Sequence, residues 1–448
     1  MPNAPITQGL AEWLCAHRYD AIPPRAREKT VDVIFDSVGC MTACSTLPEI
    51  KAIVEFATQM GGGESTIIGH GTTVSAVSAA LANGAMAHGD EVDPVHLASV
   101  GGHVASGPVP TGLVVGEMTN ASGRDVAHAI ALGYEVGGRL MAIFYRERNY
   151  VQRRFYHTAI AANITSAITA GLLLKLKPEQ LQVAMGLGTY QAAGPDNMMR
   201  DPRHFGKTFQ VGAANRNGVT AALLAQRGCH VPLDILDGTL GLFDTYLNKP
   251  ELGPELIEKL GSYYAITDVM HKRYPVGTPN QTYCQGLFSL FEQHPLTNDE
   301  IENIEIHMPS YGLYTLPETR NAAIAAKTVS AVAVLERKLD FYRLHGTESV
   351  ITPALRKIQE KIRFIPRDDW RGVEHNRHAI VRISTKTGKK VEEEVWFKPM
   401  TRPELERKFQ DLAVPRVGKE RTEQLRTLLL GIEDAASIRP LMQILRAI

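Results

Sequence analysis

Apolar positions follow a helical pattern over the first part of the chain, up to about Leu260. Within NITSAITAGLLLKL an apolar stripe recurs every four residues, at Ile164, Ile168, Leu172 and Leu176. Other segments, such as VSAVSAALANGAMAHG and NGVTAALLAQRG, carry small residues that let helix backbones approach closely. The pattern predicts a compact bundle of packed helices.

The pattern changes around Tyr264, where apolar residues begin to alternate with charged ones. NIEIHMPS and HAIVRISTKTGKKVEEEVWFKP are typical of strands, and Gly388 in TKTGKK predicts a hairpin turn. Two helical stretches, KTVSAVAVLERKL and ITPALRKIQEKI, lie between these strand segments. We therefore predict a separate α+β unit in this part of the chain.

The chain returns to a helical pattern at TRPELERKFQDLA, where Thr401 and Glu404 have the spacing of a capping box. This last segment is expected to pack back on the first one. The predicted fold class is therefore mainly α, with a large all-helical domain from residues 1–267 and 401–448 and a smaller α+β lid domain from residues 268–400.

The composition of the chain argues against several classes of protein. The 448 residues carry 48 Lys and Arg against 48 Asp and Glu, which argues against a nucleic-acid partner because a phosphate backbone demands a basic excess. No stretch reaches about 18 uninterrupted apolar residues and the N-terminus has no secretory pattern, so we expect neither membrane insertion nor secretion. Five scattered cysteines without paired spacing favour a reduced, cytoplasmic location and no metal site.

The motifs of common cofactor and hydrolase sites do not match. The dinucleotide fingerprint, the phosphate loop, H-E-x-x-H and G-x-S-x-G all fail at one or more positions. The sequence therefore gives no support to the familiar metal, nucleotide and serine-hydrolase chemistries.

One dense polar segment interrupts the helical region: NGAMAHGDEVDPVHLASVGGHVASGPVPTG. Its Gly and Pro residues break helices and expose backbone N–H groups. Clustered carboxylates and imidazoles can set each other's pKa values, as proton-transfer chemistry requires. In the alternative, the carboxylates cap helices and the histidines are buried and hydrogen-bonded. The titratable residues are His88, Asp90, Glu91, Asp93, His96 and His103.

Cationic side chains stand in two other apolar or Gly-rich stretches. Arg200 to Lys207 lie in MMRDPRHFGK, and Lys272, Arg273 and Tyr274 follow one another in MHKRYPVG. Lys and Arg heads beside a carboxylate and imidazole cluster would suit a small di- or tricarboxylate substrate. As isolated features, the same residues are also typical of surface charge.

NGAMAHGDEVDPVH, followed by HVASGPVPTGLVVGE, is similar to the pattern N-G-x-x-A-H-x-x-D-F-D-D-T-H and H-P-S of the MmgE/PrpD family. That family includes 2-methylcitrate dehydratase, cis-aconitate decarboxylase and iminodisuccinate epimerase. The resemblance continues through FYHTAIAANITSAITAGLLLKL, KTFQVGAANRNGVTAALLAQRG, KRYP and KPMTRPELERKFQDLA, and covers essentially the whole chain. It implies a helical domain built from both chain ends, an α+β lid, a homodimer, and an active site between the domains without metal or organic cofactor.

The resemblance also implies site residues. The implied catalytic residues are His103, Lys207, Lys272, Glu91, Asp93, Tyr156 and His157. Of these, His103 is the candidate proton carrier, oriented by Glu91 or Asp93. An ungapped alignment places Tyr156 at a family histidine and His157 one position later, so either could take that role. The expected substrate contacts are His96, Arg203, Arg273, Tyr274 and Gln281.

The predicted function is a cofactor-independent lyase, a dehydratase or a decarboxylase, acting next to a carboxylate of a small di- or tricarboxylic acid. The intermediate would be enediolate-like and stabilised by two lysines, of which Lys272 is expected to face a wet cleft. One alternative is an epimerase that only exchanges a proton, and another is an inactive binding or assembly subunit. The Ala- and Gly-rich helices are expected to form a homodimer across a twofold axis.

Overall fold

The computed structural model describes residues 5–147, 155–201, 203–317, 321–346, 350–370 and 377–446. The first part of the chain is helical, as its pattern predicts. Its helices are α1 (Ile6–Ala16), α2 (Pro24–Cys44), α3 (Pro48–Gln59), α4 (Ala76–Ala87), α5 (Pro108–Thr119), α6 (Gly123–Glu147), α7 (His157–Leu173), α8 (Pro178–Tyr190), α9 (Phe205–Gln226), α10 (Leu242–Leu247) and α11 (Gly253–Ile257).

Helix α9 lies at the centre of this bundle and packs against both α4 and α7. Two glycines allow the close approach. A Cβ at Gly212 would stand 2.6 Å from the carbonyl oxygen of Leu81 in α4, and one at Gly218 would stand 2.6 Å from the amide nitrogen of Ala167 in α7. Gly212 and Gly218, the latter in NGVTAALLAQRG, therefore place backbone against backbone, which holds α9 rigidly at the base of the polar segment.

The apolar stripe predicted in NITSAITAGLLLKL is correct over most of its length. Ile164 and Ile168 are fully buried in α7. The helix ends at Leu173, so Leu176 lies beyond it and contributes to the core from the following turn.

The α+β unit contains a mixed four-stranded sheet. Its strands are β5 (Ile301–Pro309), β6 (Ile362–Arg367), β7 (His378–Thr385) and β8 (Lys390–Trp396). They lie in the order β6-β5-β7-β8, with β5 and β6 parallel and the other pairs antiparallel. The helices are α12 (Asn280–Gln293), α13 (Ala326–Glu336), α14 (Phe341–His345) and α15 (Pro353–Glu360). Gly388, at φ 83°, forms the predicted hairpin turn between β7 and β8.

The chain then returns to the helical part through α16 (Arg402–Leu430) and α17 (Arg439–Arg446). The predicted capping box is present, with the backbone N–H of Thr401 donating to Glu404 at 2.7 Å. Phe409 of α16 stacks on Phe35 of α2 with ring centroids 4.3 Å apart. Helix α16 is broken at Gly418, whose φ is 77°.

Two short antiparallel ribbons complete the regular structure. The strands are β1 (Ser65–Ile67), β2 (Thr72–Val74), β3 (Val95–His96) and β4 (Val269–Met270). In the second ribbon, Val95 pairs with Met270 and His96 pairs with Val269. This pairing ties the polar segment directly to the backbone that enters the α+β unit. Short 3-10 helices span Tyr19–Ala21, Val104–Ser106, Asp196–Arg200, Pro250–Leu252, Ala265–Asp268, Ser310–Thr315 and Ile432–Asp434.

The buried apolar residues form two main cores, one within the helical part and one between the mixed sheet and its helices. The predicted fold class, mainly α with a smaller α+β part, is therefore confirmed. The exact domain boundaries stay a prediction. Among the described helices, none is long and apolar enough to cross a membrane.

Candidate functional site

The polar segment begins in the last turns of α4, at Asn83, and its titratable residues follow the end of that helix at Ala87 and run beneath the α+β unit. Gly89 presses against α2, because a Cβ there would stand 2.8 Å from the Cβ of Cys44. The carboxylates that follow Gly89 are turned inward instead of toward solvent. Less than a tenth of the surface is exposed for His88, Asp90, Glu91, Asp93 and His103.

Glu91 joins two buried lysines from different parts of the chain. Its Oε1 accepts a hydrogen bond from Lys207 Nζ at 2.7 Å, and its Oε2 accepts one from Lys272 Nζ at 2.8 Å. Lys207 is in the first turn of α9, and Lys272 follows β4 closely. Burial raises the pKa of Glu91, but the two ammonium groups outweigh it and hold the pKa well below its usual range. The expectation that Lys272 faces a wet cleft is wrong, because its side chain is fully buried.

Asp93 holds two histidines through one carboxylate oxygen. Its Oδ2 lies 2.9 Å from His88 Nδ1 and 2.7 Å from His103 Nδ1. Burial lowers the pKa of both imidazoles, and Lys207 lowers it further for His88, to about 3. Both rings are therefore neutral near pH 7 in the unliganded site. The Asp93 contact of His103 leaves its Nε2 available on the other side of the ring.

Tyr156 lies on the far side of His88, with its hydroxyl 2.7 Å from His88 Nε2. Burial raises the pKa of Tyr156, so the phenol stays protonated at any physiological pH. The adjacent His157 begins α7, and burial lowers its pKa to about 4. Tyr156 and His157 both face the same cavity, so the geometry leaves the choice between them open.

A cavity of about 290 Å³ lies between the helical part and the α+β unit. Five of the predicted catalytic residues line it, and Lys272 and Asp93 stand directly behind Glu91 and His103. Its lining residues are Glu91, Val100, Gly101, His103, Phe155, Tyr156, His157, Asp196, His204, Lys207, Thr278, Pro279, Tyr311, Tyr314 and Ile324.

Three predicted substrate contacts lie outside this lining. Arg273 makes a two-pronged ion pair with Glu404 at 2.6 and 3.2 Å. The amide of Gln281 is occupied by backbone: it accepts from the N–H groups of Arg273 and Tyr274 and donates to the carbonyls of Tyr274 and Val276. The ring of Tyr274 packs near Phe288 rather than against the cavity, with centroids 5.2 Å apart.

The other two predicted contacts also lie elsewhere. His96 is buried in β3 with its Nδ1 3.2 Å from Ser99 Oγ, and burial lowers its pKa to about 4. Arg203 is exposed and borders a second cavity of about 280 Å³, together with Asp90 and His345. The substrate-binding roles of these residues stay predictions.

Several cavity residues were not predicted from the sequence. His204 stands in MMRDPRHFGK, a segment selected only for its basic residues, and its Nδ1 lies 3.5 Å from Asp90 Oδ1. Tyr311 and Tyr314 come from the 3-10 helix that follows β5, where no sequence pattern marks them as functional. His88, a member of the predicted polar cluster, lies behind this lining, and its position between Asp93 and Tyr156 depends on the fold.

Two groups of described residues have donor atoms close enough to hold a metal ion, within 4.8 Å of one another. The first contains His88, Asp93 and His103, and the second contains Asp90, Glu91 and His204. In the second group Glu91 already accepts hydrogen bonds from two ammonium groups, whose positive charge opposes a cation. Lys207 also lines the cavity, so an anionic ligand fits beside this second group better than a cation does.

Two family models match the chain: the MmgE/PrpD N-terminal domain at residues 8–255 and the MmgE/PrpD C-terminal domain at residues 274–433. A cis-aconitate decarboxylase of Aspergillus terreus is 24% identical over 474 residues, which cover 98% of this chain and 96% of that protein. The cis-aconitate decarboxylase of Homo sapiens is 22% identical over 462 residues, which cover 98% and 94%. Because the N-terminal model alone spans more than half of the chain, the protein belongs to the MmgE/PrpD family.

Proposed function

We propose that the protein is a lyase that decarboxylates a small unsaturated di- or tricarboxylic acid. One observation carries the proposal: a pair of lysines bridged by Glu91 stands beside the Asp93–His103 pair at one cavity. The relatives named as cis-aconitate decarboxylases, although distant in sequence, support a lyase of this type.

The lysine pair supplies the electrostatic part of the chemistry. Lys207 and Lys272 together carry two positive charges. Glu91 balances one of them, and Asp93, whose Oδ1 lies 4.0 Å from Lys272 Nζ, balances the other. Lys207 also lines the cavity, so its ammonium group attracts a substrate carboxylate and, together with Lys272 behind Glu91, stabilises negative charge that develops next to it. Because the ammonium groups are already fixed by Glu91, they need little reorganisation when the substrate reacts.

His103 supplies the proton. Asp93 accepts from Nδ1, which leaves Nε2 facing the cavity as the nitrogen that exchanges a proton with the substrate. The ring is neutral in the unliganded site, because burial lowers its pKa. A bound substrate adds negative charge nearby and raises that pKa, so His103 takes up a proton as the substrate binds.

The reaction then balances without a cofactor. The bond from a substrate carbon to one carboxyl group breaks, carbon dioxide leaves, and the electron pair stays on carbon, conjugated with a remaining carboxylate. Lys207 and Lys272 stabilise the resulting enediolate-like anion, and the Nε2–H of His103 protonates the carbon. The next proton enters from solvent together with the next substrate.

Dehydration is less well supported than decarboxylation. Dehydration needs a second proton-transfer group besides His103 at the carbon, because hydroxide leaves poorly without a general acid at the departing oxygen. Tyr156 is a weak acid because burial raises its pKa, and His88 is neutral because burial and Lys207 lower its pKa to about 3. Carbon dioxide needs no such acid. Epimerisation and simple binding remain the alternatives that the experiment below distinguishes, and a homodimer remains a proposal.

The experiment is turnover in deuterium oxide, followed by NMR, against citrate, methylcitrate, cis-aconitate and aspartate-derived acids. Decarboxylation predicts loss of one carboxyl carbon and one new carbon-bound deuterium in the product. Exchange without net conversion would identify an epimerase. If no acid is either converted or exchanged, the protein is a binding subunit and the proposal is wrong.

Lys272→Met should lower kcat by about 100- to 1000-fold, the typical loss when one stabilising donor is removed. The protein should also lose some stability, because Glu91 keeps only one of its two partners. A rise in KM with unchanged kcat would mean that Lys272 only anchors the substrate. The matched control is Lys361→Met: this partly buried lysine donates to the carbonyls of Asn298 and Ile301 in the α+β unit, and its loss should leave kcat unchanged.

The pH dependence tests the proton-donor role of His103. A donor must be protonated, so kcat/KM should fall as pH rises through the lowered pKa of the free site, and kcat should fall only at higher pH. Asp93→Asn removes the carboxylate that raises the pKa of His103, so the fall in kcat/KM should move to lower pH. A kcat/KM that instead rises with pH through this region would make His103 a base and contradict the mechanism.

A further inference from the structure

One buried carboxylate outside the cavity is linked, through two partner side chains, to both Glu91 and Lys272 of the candidate site. Asp36 lies in α2 and is almost fully buried. Its Oδ1 pairs with Lys408 Nζ at 2.7 Å, and its Oδ2 lies 2.7 Å from His271 Nδ1. Burial raises the pKa of Asp36, but Lys408 and His271 lower it by more than burial raises it, so the group is ionised.

The first contact, between Asp36 and Lys408, connects Asp36 to the polar segment. Lys408, in α16, also donates to the backbone carbonyl of Val92 at 2.9 Å. The thiol of Cys40 bridges the same two partners, at 3.4 Å from the Val92 carbonyl and 3.8 Å from Asp36 Oδ1. Because Val92 stands between Glu91 and Asp93, this contact fixes the backbone that carries both site carboxylates.

The second contact, between Asp36 and His271, connects Asp36 to Lys272. His271 directly precedes Lys272 and follows β4. Holding the imidazole of His271 therefore fixes the backbone from which Lys272 extends to Glu91. The contacts and the chain between them form a closed ring: from Asp36 through His271 to Lys272, across to Glu91, and back through Val92 and Lys408.

We propose that Asp36 is a positioning residue that sets the distance between Glu91 and Lys272. The inference rests on the proposed function, in which that pair stabilises the developing anion. Asp36 touches neither the cavity lining nor a reacting atom, and acts only through Lys408 and His271.

A merely stabilising role is a poor explanation for this arrangement. Buried ion pairs contribute little net stability, because desolvation offsets their attraction, and apolar residues of similar volume often serve as well. What a charged, hydrogen-bonded carboxylate provides is fixed geometry at both of its oxygens. A displacement of about 1 Å at a reacting centre can cost about 100-fold in rate, so such geometry has a catalytic effect.

The same helix offers a matched control. Asp32 lies one turn earlier in α2, is also buried, and pairs with Arg402 of α16 at 2.5 Å. It therefore resembles Asp36 in burial, in its helix and in the helix that supplies its cationic partner. It has no contact with His271 or with Val92 among its hydrogen bonds and ion pairs.

The test compares Asp36→Asn with Asp32→Asn in the full chain. Asp36→Asn should lower kcat at least about tenfold with little change in KM, and Asp32→Asn should change kcat less than about twofold. The second readout is the ¹⁵Nζ resonance of Lys272, assigned by its disappearance in Lys272→Met. It should shift in Asp36→Asn and stay in place in Asp32→Asn. If Asp36→Asn does not fold, His271→Asn replaces it in both measurements, because this variant keeps the Asp36–Lys408 pair.

Each outcome is decisive. Equal kcat values in the two Asp variants, with the Lys272 resonance unmoved in Asp36→Asn, would overturn the proposal. If the wild-type protein converts none of the acids tested, the proposed function fails instead. The Lys272 resonance then still decides whether Asp36 positions the lysine.

Discussion

The site depends on one carboxylate shared by two ammonium groups. Glu91, Lys207 and Lys272 are all buried, and burying a charge is costly unless it is paired and hydrogen-bonded. None of the three would be tolerable alone in this position. Their mutual pairing therefore makes possible a charged cluster at the boundary between the helical part and the α+β unit, and the surrounding structure holds the three groups at hydrogen-bonding distance.

The partners come from distant parts of the chain: 116 residues separate Glu91 from Lys207, and 181 separate it from Lys272. A different structural contact holds each of the three residues in place. Glycine-mediated packing fixes α9 and thus Lys207, the β3–β4 ribbon fixes the backbone before Lys272, and the Lys408 contact fixes the backbone after Glu91. The cavity lies beside all three contacts, so the arrangement of its charged groups depends on the whole fold.

Much of the fold could be predicted because local patterns determine it. Strand alternation around NIEIHMPS, the turn at Gly388 and the capping box at Thr401 all depend on residues close in sequence. The dense polar segment can also be recognised in the sequence. It places many titratable groups within an otherwise apolar, helical region, where such groups are rare.

The remaining site residues could not be predicted because their environment is set by long-range contacts. Gln281 has the polar side chain of a binding residue, yet backbone groups occupy all of its hydrogen-bonding capacity here. Lys272 was expected in water and is fully buried, since only the fold brings Glu91 to it. Asp36 is one of several polar positions in α2, as Asp32 is, and nothing local links it to His271.

The central claim is that Glu91 is ionised and held by two charged lysines. The most direct test is a ¹³C NMR titration of the Glu91 side-chain carboxyl in the wild-type protein and in Lys272→Met. We predict no titration near the ordinary glutamate value of about 4.3 in the wild type, and a higher pKa once Lys272 is removed. A wild-type Glu91 that titrates at or above the ordinary value would contradict the account.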